Sequence, residues 1–255
     1  MKALLTILFG ISFNMIVCGQ APIRNLPKGA VVIETASLAS SAEHPHRMLV
    51  LWMQNPKKNP SGYSADDMYT CPDSTRGSYY SGATRVSLVN TATRAIINTI
   101  RIGDQGEDSF DLPYAIRKGN YYRVLAHVAR TVEAKPNIIW LKDYNGDGRA
   151  LEFALFEAEA CMGLQTTLIG YSERQDRVIN YPIVLDVTEE GKPKKQVSTW
   201  ADYLFHQKPR QSGYWKYEID YRGRAGTLDK WEVRYNAAKE QFEGTLVSIP
   251  GNLED

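Results

Sequence analysis

Residues 143–152 read Asp143-Tyr-Asn145-Gly-Asp147-Gly148-Arg149-Ala-Leu-Glu152, with oxygen-bearing side chains at alternate positions 143, 145 and 147 just ahead of a glycine. That pattern suits a hard cation. Calcium takes about six to eight oxygens, and a loop turning tightly at glycine can aim three side chains and a backbone carbonyl at one point. The carbonyl of Arg149 is the expected fourth ligand from the loop, and Glu152 the last acid. An EF-hand would place Glu at the twelfth loop position, where this chain has Ala154, and would carry helices on both flanks. The plainer alternative is a hairpin turn, since Asn-Gly and Asp-Gly are strong turn dipeptides; such a turn has no need of Asp143. Three carboxylates and one amide give the site a charge of −3, so the cation-free protein is expected to be less stable at neutral pH.

Other constellations carry weaker signals. Tyr63, Tyr69, Tyr79 and Tyr80 surround Cys71 and form a candidate contact surface for a protein or carbohydrate, because tyrosine joins a flat apolar ring to a polar tip. Asp104, Glu107, Asp108 and Asp111 are irregularly spaced and read as a solvated loop. His44-Pro-His46 could be half of a metal site, but no Cys or His pair stands at zinc spacing. The chain has no His-Glu-x-x-His, no Gly-x-Ser-x-Gly and no phosphate-cradling glycine loop, so no catalytic residue is assigned. Paired carboxylates acting on polysaccharide remain the hydrolase alternative, since such a pair is defined by distance in space.

The Asp-x-Asn-Gly-Asp-Gly run resembles the calcium-binding turns of FG-GAP/VCBS-type repeats, the blades of integrin-α-like propellers. The resemblance covers roughly 137–187 and implies a calcium loop linking two β-strands. Those repeats carry a final acid at the ninth loop position; here that position is Leu151, and Glu152 follows it. The run Cys161-Met-Gly-Leu-Gln-Thr-Thr is also similar to a family of exported bacterial proteins, which implies export and supplies no mechanism.

Export is expected from the N-terminus as well. Met1-Lys2, an apolar run over 3–13 and a small residue at Gly19 make the three parts of a secretory signal peptide over 1–19. Cys18 behind Val17 opens lipid anchoring as a rival. The apolar run is shorter than the about 20 residues a membrane span requires. In an exporting context Cys71 and Cys161 are the two thiols left to pair, and a disulfide between them is favoured over two free thiols or a nucleophile. Removing 1–19 takes away Lys2 and no acid, so 30 basic and 29 acidic residues become 29 and 29. That balance, with no basic stripe, excludes nucleic acid as a partner.

The elements that must position the loop read as strands. With 43% hydrophobic and 23% charged residues the chain is globular rather than disordered. Apolar runs rich in Val, Ile, Tyr and Trp fall at 30–35, 47–53, 85–89, 95–102, 121–132, 138–142, 151–156, 166–171, 177–187, 214–221, 230–235 and 242–249. Three pairs share one design, a strand, a polar linker of five residues (Asn90–Arg94, Ser172–Asp176, Asn236–Glu240) and a strand, which predicts three short-loop hairpins. One short helix is expected near 199–207, capped at Thr199 and stopped by Pro209. The expected fold is therefore all-β, a mostly antiparallel sandwich or open meander in a single domain over 20–255. A surface excursion is expected around 54–82, and a propeller-like arrangement is the alternative.

Overall fold

Met48 to Met53 is an unbroken apolar run, and the fold uses it as a strand covered on both faces. Leu49, Leu51 and Met53 enter one core while Met48, Val50 and Trp52 enter another; a strand alternates its side chains, so only a doubly covered strand reads as a continuous run. The computed structural model describes residues 22–59, 79–102, 110–111, 114–117, 120–123, 138–159, 163–189, 191–198, 200–201, 211–222 and 226–251. The protein is all-β, and no helix occurs among the described residues.

The first sheet runs β1 (Ala30–Ser37), β2 (Arg47–Asn59), β3 (Tyr79–Asn90) and β4 (Ile96–Arg101), all antiparallel, with β5 (Phe110–Asp111) beside β3. β6 (Tyr114–Arg117) and β7 (Asn120–Arg123) form a separate hairpin. In the second sheet β9 (Gly163–Ser172) pairs along its length with β8 (Glu152–Glu159) and at one end with β10 (Arg177–Asn180). The chain then enters a third sheet through β11 (Ile183–Glu189) and β12 (Lys192–Ser198). β13 (Trp200–Ala201) returns to β9, and β14 (Tyr214–Asp220), β15 (Thr227–Asn236) and β16 (Gln241–Pro250) complete the third sheet in the order β12-β11-β16-β15-β14. Its β11–β16 pair is parallel; none of the sheets closes into a barrel or propeller.

β9 is the central wall. Ile169 and Tyr171 face the first sheet, in a core with Leu49, Leu51, Phe153 and Leu155. Leu168 faces the third sheet, in a core with Tyr181, Ile183, Trp215, Val233 and Phe242. The first two sheets are tied at both edges by side chains instead of ladder hydrogen bonds. At one edge the Asn98 amide donates to the Val178 carbonyl (2.8 Å) and accepts its N–H (2.9 Å), so it stands in for a backbone pair between β4 and β10. At the other, the Glu34 carboxylate accepts the N–H groups of Ile138 (2.8 Å) and Ile139 (3.0 Å).

All three predicted hairpins form, as β3–β4, β9–β10 and β15–β16. In each, the first linker residue accepts a backbone N–H from within its own loop: Asn90 from Ala92 and Thr93, Ser172 from Gln175, Asn236 from Lys239. The fifth residue takes a left-handed conformation, with φ of 61° at Arg94, 48° at Asp176 and 50° at Glu240. One loop type is used three times.

Four expectations change. Trp200 and Ala201 pair with Thr166 and Gln165 of β9, so they are strand and not the expected helix; an otherwise unpaired stretch of β9 edge outweighs the capping signal, and 199 and 202–207 lie outside the described residues. The run 177–187 is two strands, because Pro182 has no N–H to give a ladder and the chain changes sheets there. Residues 138–142 make only a single bridge, Lys142 with Glu152, since Glu34 takes the amides that a ladder would use. The excursion is shorter than 54–82, because β2 and β3 continue past a bulge at Gln54/Lys57 to Asn59 and Tyr79.

Candidate functional site: the 143–152 loop

Lys142 and Glu152 exchange both backbone hydrogen bonds (2.7 and 3.2 Å), which closes the loop at its neck. Inside it the side chains hold the backbone. Asp143 accepts from Gly146 N–H (2.7 Å) and Gly148 N–H (3.0 Å), Asn145 Oδ1 from Asp147 N–H (2.9 Å), and Asp147 from Arg149 N–H (2.8 Å). Gly146 and Gly148 take φ of 81° and 88°, left-handed values that glycine adopts without strain. A Cβ at Gly146 would also stand 2.6 Å from the Ser212 carbonyl oxygen, and one at Gly213 2.3 Å from that of Asn145. The loop therefore rests backbone against backbone on the turn that leads into β14.

Glu152 lies at the centre with 0% of its surface exposed. Its two oxygens accept Tyr144 N–H and the Asn145 amide nitrogen, each at 3.0 Å, and the same nitrogen reaches Asp147 Oδ2 at 3.0 Å. Burial pushes the Glu152 carboxyl up to about 8, against the Tyr144 amide, with the charges of Asp147 and Asp143 adding to the rise. Gly170 makes the room: a Cβ there would lie 2.8 Å from Glu152 Cγ and 2.8 Å from Tyr181 Cε2. Tyr181 and Tyr235 roof this side, their ring centroids 6.0 Å apart. Burial raises both phenols, that of Tyr235 to about 12, so both stay protonated near neutrality.

Of the predicted ligands, the fold brings Asn145, Asp147 and Glu152 into direct contact. Asp143 instead turns onto the loop amides, and the Arg149 carbonyl accepts Leu151 N–H at 3.1 Å. Among the described residues no three His, Cys, Asp or Glu side chains gather into a metal-holding group. The nitrogen of Asn145 stands between Asp147 and Glu152, 3.0 Å from an oxygen of each. The donors are hard oxygens of the kind calcium selects, and turning the Asn145 amide over would present its Oδ1 there at the cost of the bond it accepts from Asp147 N–H.

No family model, curated protein or solved structure matches this chain. The chemistry of the site therefore rests on these contacts.

Cys71, Cys161, Tyr63, Tyr69, Asp104, Glu107 and Asp108 lie outside the described residues; Tyr79 and Tyr80 open β3 opposite Asn59 and Lys58. No helix among the described residues is long and apolar enough to cross a membrane. His44 Nδ1 stands 3.7 Å from Asp176, which accepts Arg47 Nε and Nη2 at 2.7 Å each and Tyr171 OH at 2.9 Å. The Arg47 fork holds the Asp176 carboxyl below its ordinary value. Sequence reasoning missed this cluster, the Glu34 fork and the contacts of Ser172, Arg174 and Gln175 with Glu240. A signal for Glu34 exists, an acid interrupting the apolar start of β1 at its bulge; the partners, more than 60 residues away, leave none.

Proposed function

We propose that this protein is an exported binding or structural module in which calcium closes the 143–152 loop as a structural ion. The observation that carries this reading is Glu152, a carboxylate without accessible surface whose proton affinity is raised by burial and by two neighbouring acids. Such a buried carboxyl keeps its proton through neutrality, and a divalent cation held by Asp147, Glu152 and the Asn145 oxygen would take that proton's place. Asp143, with one hydrogen bond on each oxygen, retains acceptor capacity, as does the Arg149 carbonyl. The resemblance of the loop to FG-GAP/VCBS-type turns points the same way, and the signal-like segment 1–19 supports export to a calcium-containing compartment. Because the loop rests on the turn before β14, the ion would fasten the second sheet to the third. Its role is to order backbone rather than to activate a substrate.

Titration calorimetry tests this. One calcium per chain is expected, with affinity in the range of extracellular modules, about 10⁻⁴–10⁻³ M, and the heat is expected to vanish in Asp147→Asn and Glu152→Gln. Absence of binding heat in the wild type at millimolar calcium overturns the proposal and leaves the loop as a turn closed by its own amides.

A further inference from the structure

β14 is the last strand of the third sheet, with β15 on one side and, among the described residues, no strand on the other. Tyr235 N–H donates to the Gly213 carbonyl (2.9 Å) and Tyr221 N–H to that of Thr227 (2.8 Å), so the odd-numbered residues of β14 turn their backbone groups toward β15. The even-numbered ones turn theirs away. Tyr214 exchanges two hydrogen bonds with Gln211 (2.9 and 3.4 Å), which closes that end of the edge. Lys216 and Glu218 follow, with N–H and C=O groups aimed outward and side chains 57% and 59% exposed.

An open edge recruits another strand unless its side chains oppose it. The far edge of the same sheet is opposed: β12 carries Lys192, Pro193, Lys194 and Lys195. β14 has no proline and alternates in charge, Lys216 beside Glu232 and Glu218 beside Lys230 of β15, each pair 3.5 Å apart. A copy of β14 laid antiparallel about a two-fold axis at Tyr217 brings Lys216 opposite Glu218 of the copy, and Glu218 opposite its Lys216. Both positions have outward backbone groups, so each pair can exchange its two ladder hydrogen bonds. Across the joined sheets the row then reads Glu232, Lys216, Glu218, Lys230, acid and base in alternation. On the other face Tyr217 meets its own copy and Trp215 meets Ile219. Sliding the copy by one residue sets outward groups against inward ones. Sliding it by two sets Glu218 against Glu218 or Lys216 against Lys216, like charges directly opposed.

We propose that two copies of this chain pair through their β14 edges in this register, joining their third sheets into one. The order of Lys216 and Glu218 about Tyr217 is self-complementary, as an isologous contact demands and a foreign peptide does not. The contact is a single short strand, smaller than the about 800 Å² per partner of a standard interface, so the dimer is reversible. It depends neither on the cation nor on export.

Sedimentation velocity in chelator, from micromolar to near-millimolar protein, tests it. The wild type is expected to show a monomer–dimer equilibrium. Lys216→Glu sets acid against acid at both pairs, and Glu218→Lys sets base against base; each alone is expected to weaken the dimer about tenfold or more. An equimolar mixture of the two restores opposite charges at both pairs and is expected to dimerise as the wild type does. Glu218→Gln, which removes the charge without reversing it, is expected to weaken the dimer severalfold at an unchanged melting temperature. The proposal is overturned by a wild type that stays monomeric at the highest concentration, which leaves the edge to a different partner. It is equally overturned by either charge reversal dimerising like the wild type, or by a mixture that stays monomeric.

Discussion

Replacing Glu152 by Gln removes an ionisable carboxyl from a position without accessible surface while nearly preserving its shape. In the cation-free protein this carboxyl rises from its ordinary 4.5 to about 8. Between those values the unfolded chain has given up the proton and the folded protein keeps it. Stability therefore falls as pH climbs from about 4.5 to about 8 and levels off above that. At about 1.4 kcal/mol per pH unit the whole span is worth on the order of 5 kcal/mol, and the part reached by pH 7 about 3 kcal/mol. With about 2–4 °C per kcal/mol for a chain of this size, the melting temperature in chelator should drop by roughly 10 °C between pH 5 and pH 8.5. Glu152→Gln should lack that component. It places an N–H beside the donors of Tyr144 or Asn145, a pH-independent loss of about 1–3 kcal/mol, so the informative quantity is the slope of the difference between the two proteins. Differential scanning calorimetry across pH in chelator measures it. A wild-type minus Glu152→Gln difference that stays flat from pH 5 to pH 8.5 refutes the claim that burial raises the proton affinity of Glu152.

Gly170→Ala should destabilise by about 2–3 kcal/mol through overpacking against Glu152, Tyr181 and the Leu151 carbonyl, read as a lower urea midpoint. Asn98→Ala should cost about 2 kcal/mol or more by leaving Val178 without its side-chain partners at the sheet edge; an unchanged midpoint would show that the edge needs no tie. Arg94→Gly should stabilise by about 1 kcal/mol, because glycine adopts its φ of 61° without penalty, raising the melting temperature. Asp176 is held below its ordinary 3.8 by Arg47, so its contribution is present above that value and lost as pH falls through the folded one. The stability gap between wild type and Asp176→Asn should narrow on acidification.

Much of the fold is legible in the sequence because strands covered on one face alternate and strands covered on both run unbroken. Met48–Met53 announces β2 in this way. The hairpins are legible for a local reason, since Asn90, Ser172 and Asn236 bond amides within their own loops. What escapes is whatever depends on a distant partner. Residues 138–142 have the composition of a strand, yet the Glu34 carboxylate takes two of their amides, and nothing near 138 reveals it. Thr199 and Asp202 read as a helix start until the uncovered edge of β9 is seen. The 143–152 loop is legible as a cluster of oxygens on a glycine turn. Its inner geometry, with Asn145 between Asp147 and Glu152 and Gly170 clearing space beneath, depends on the β8–β9 register.

Whether a cation completes the loop is tested most directly by thermal unfolding at pH 7.5 in millimolar calcium against chelator. A clearly higher melting temperature in calcium is expected for the wild type, with the increment lost in Glu152→Gln. A single melting temperature under both conditions would contradict a cation-completed loop.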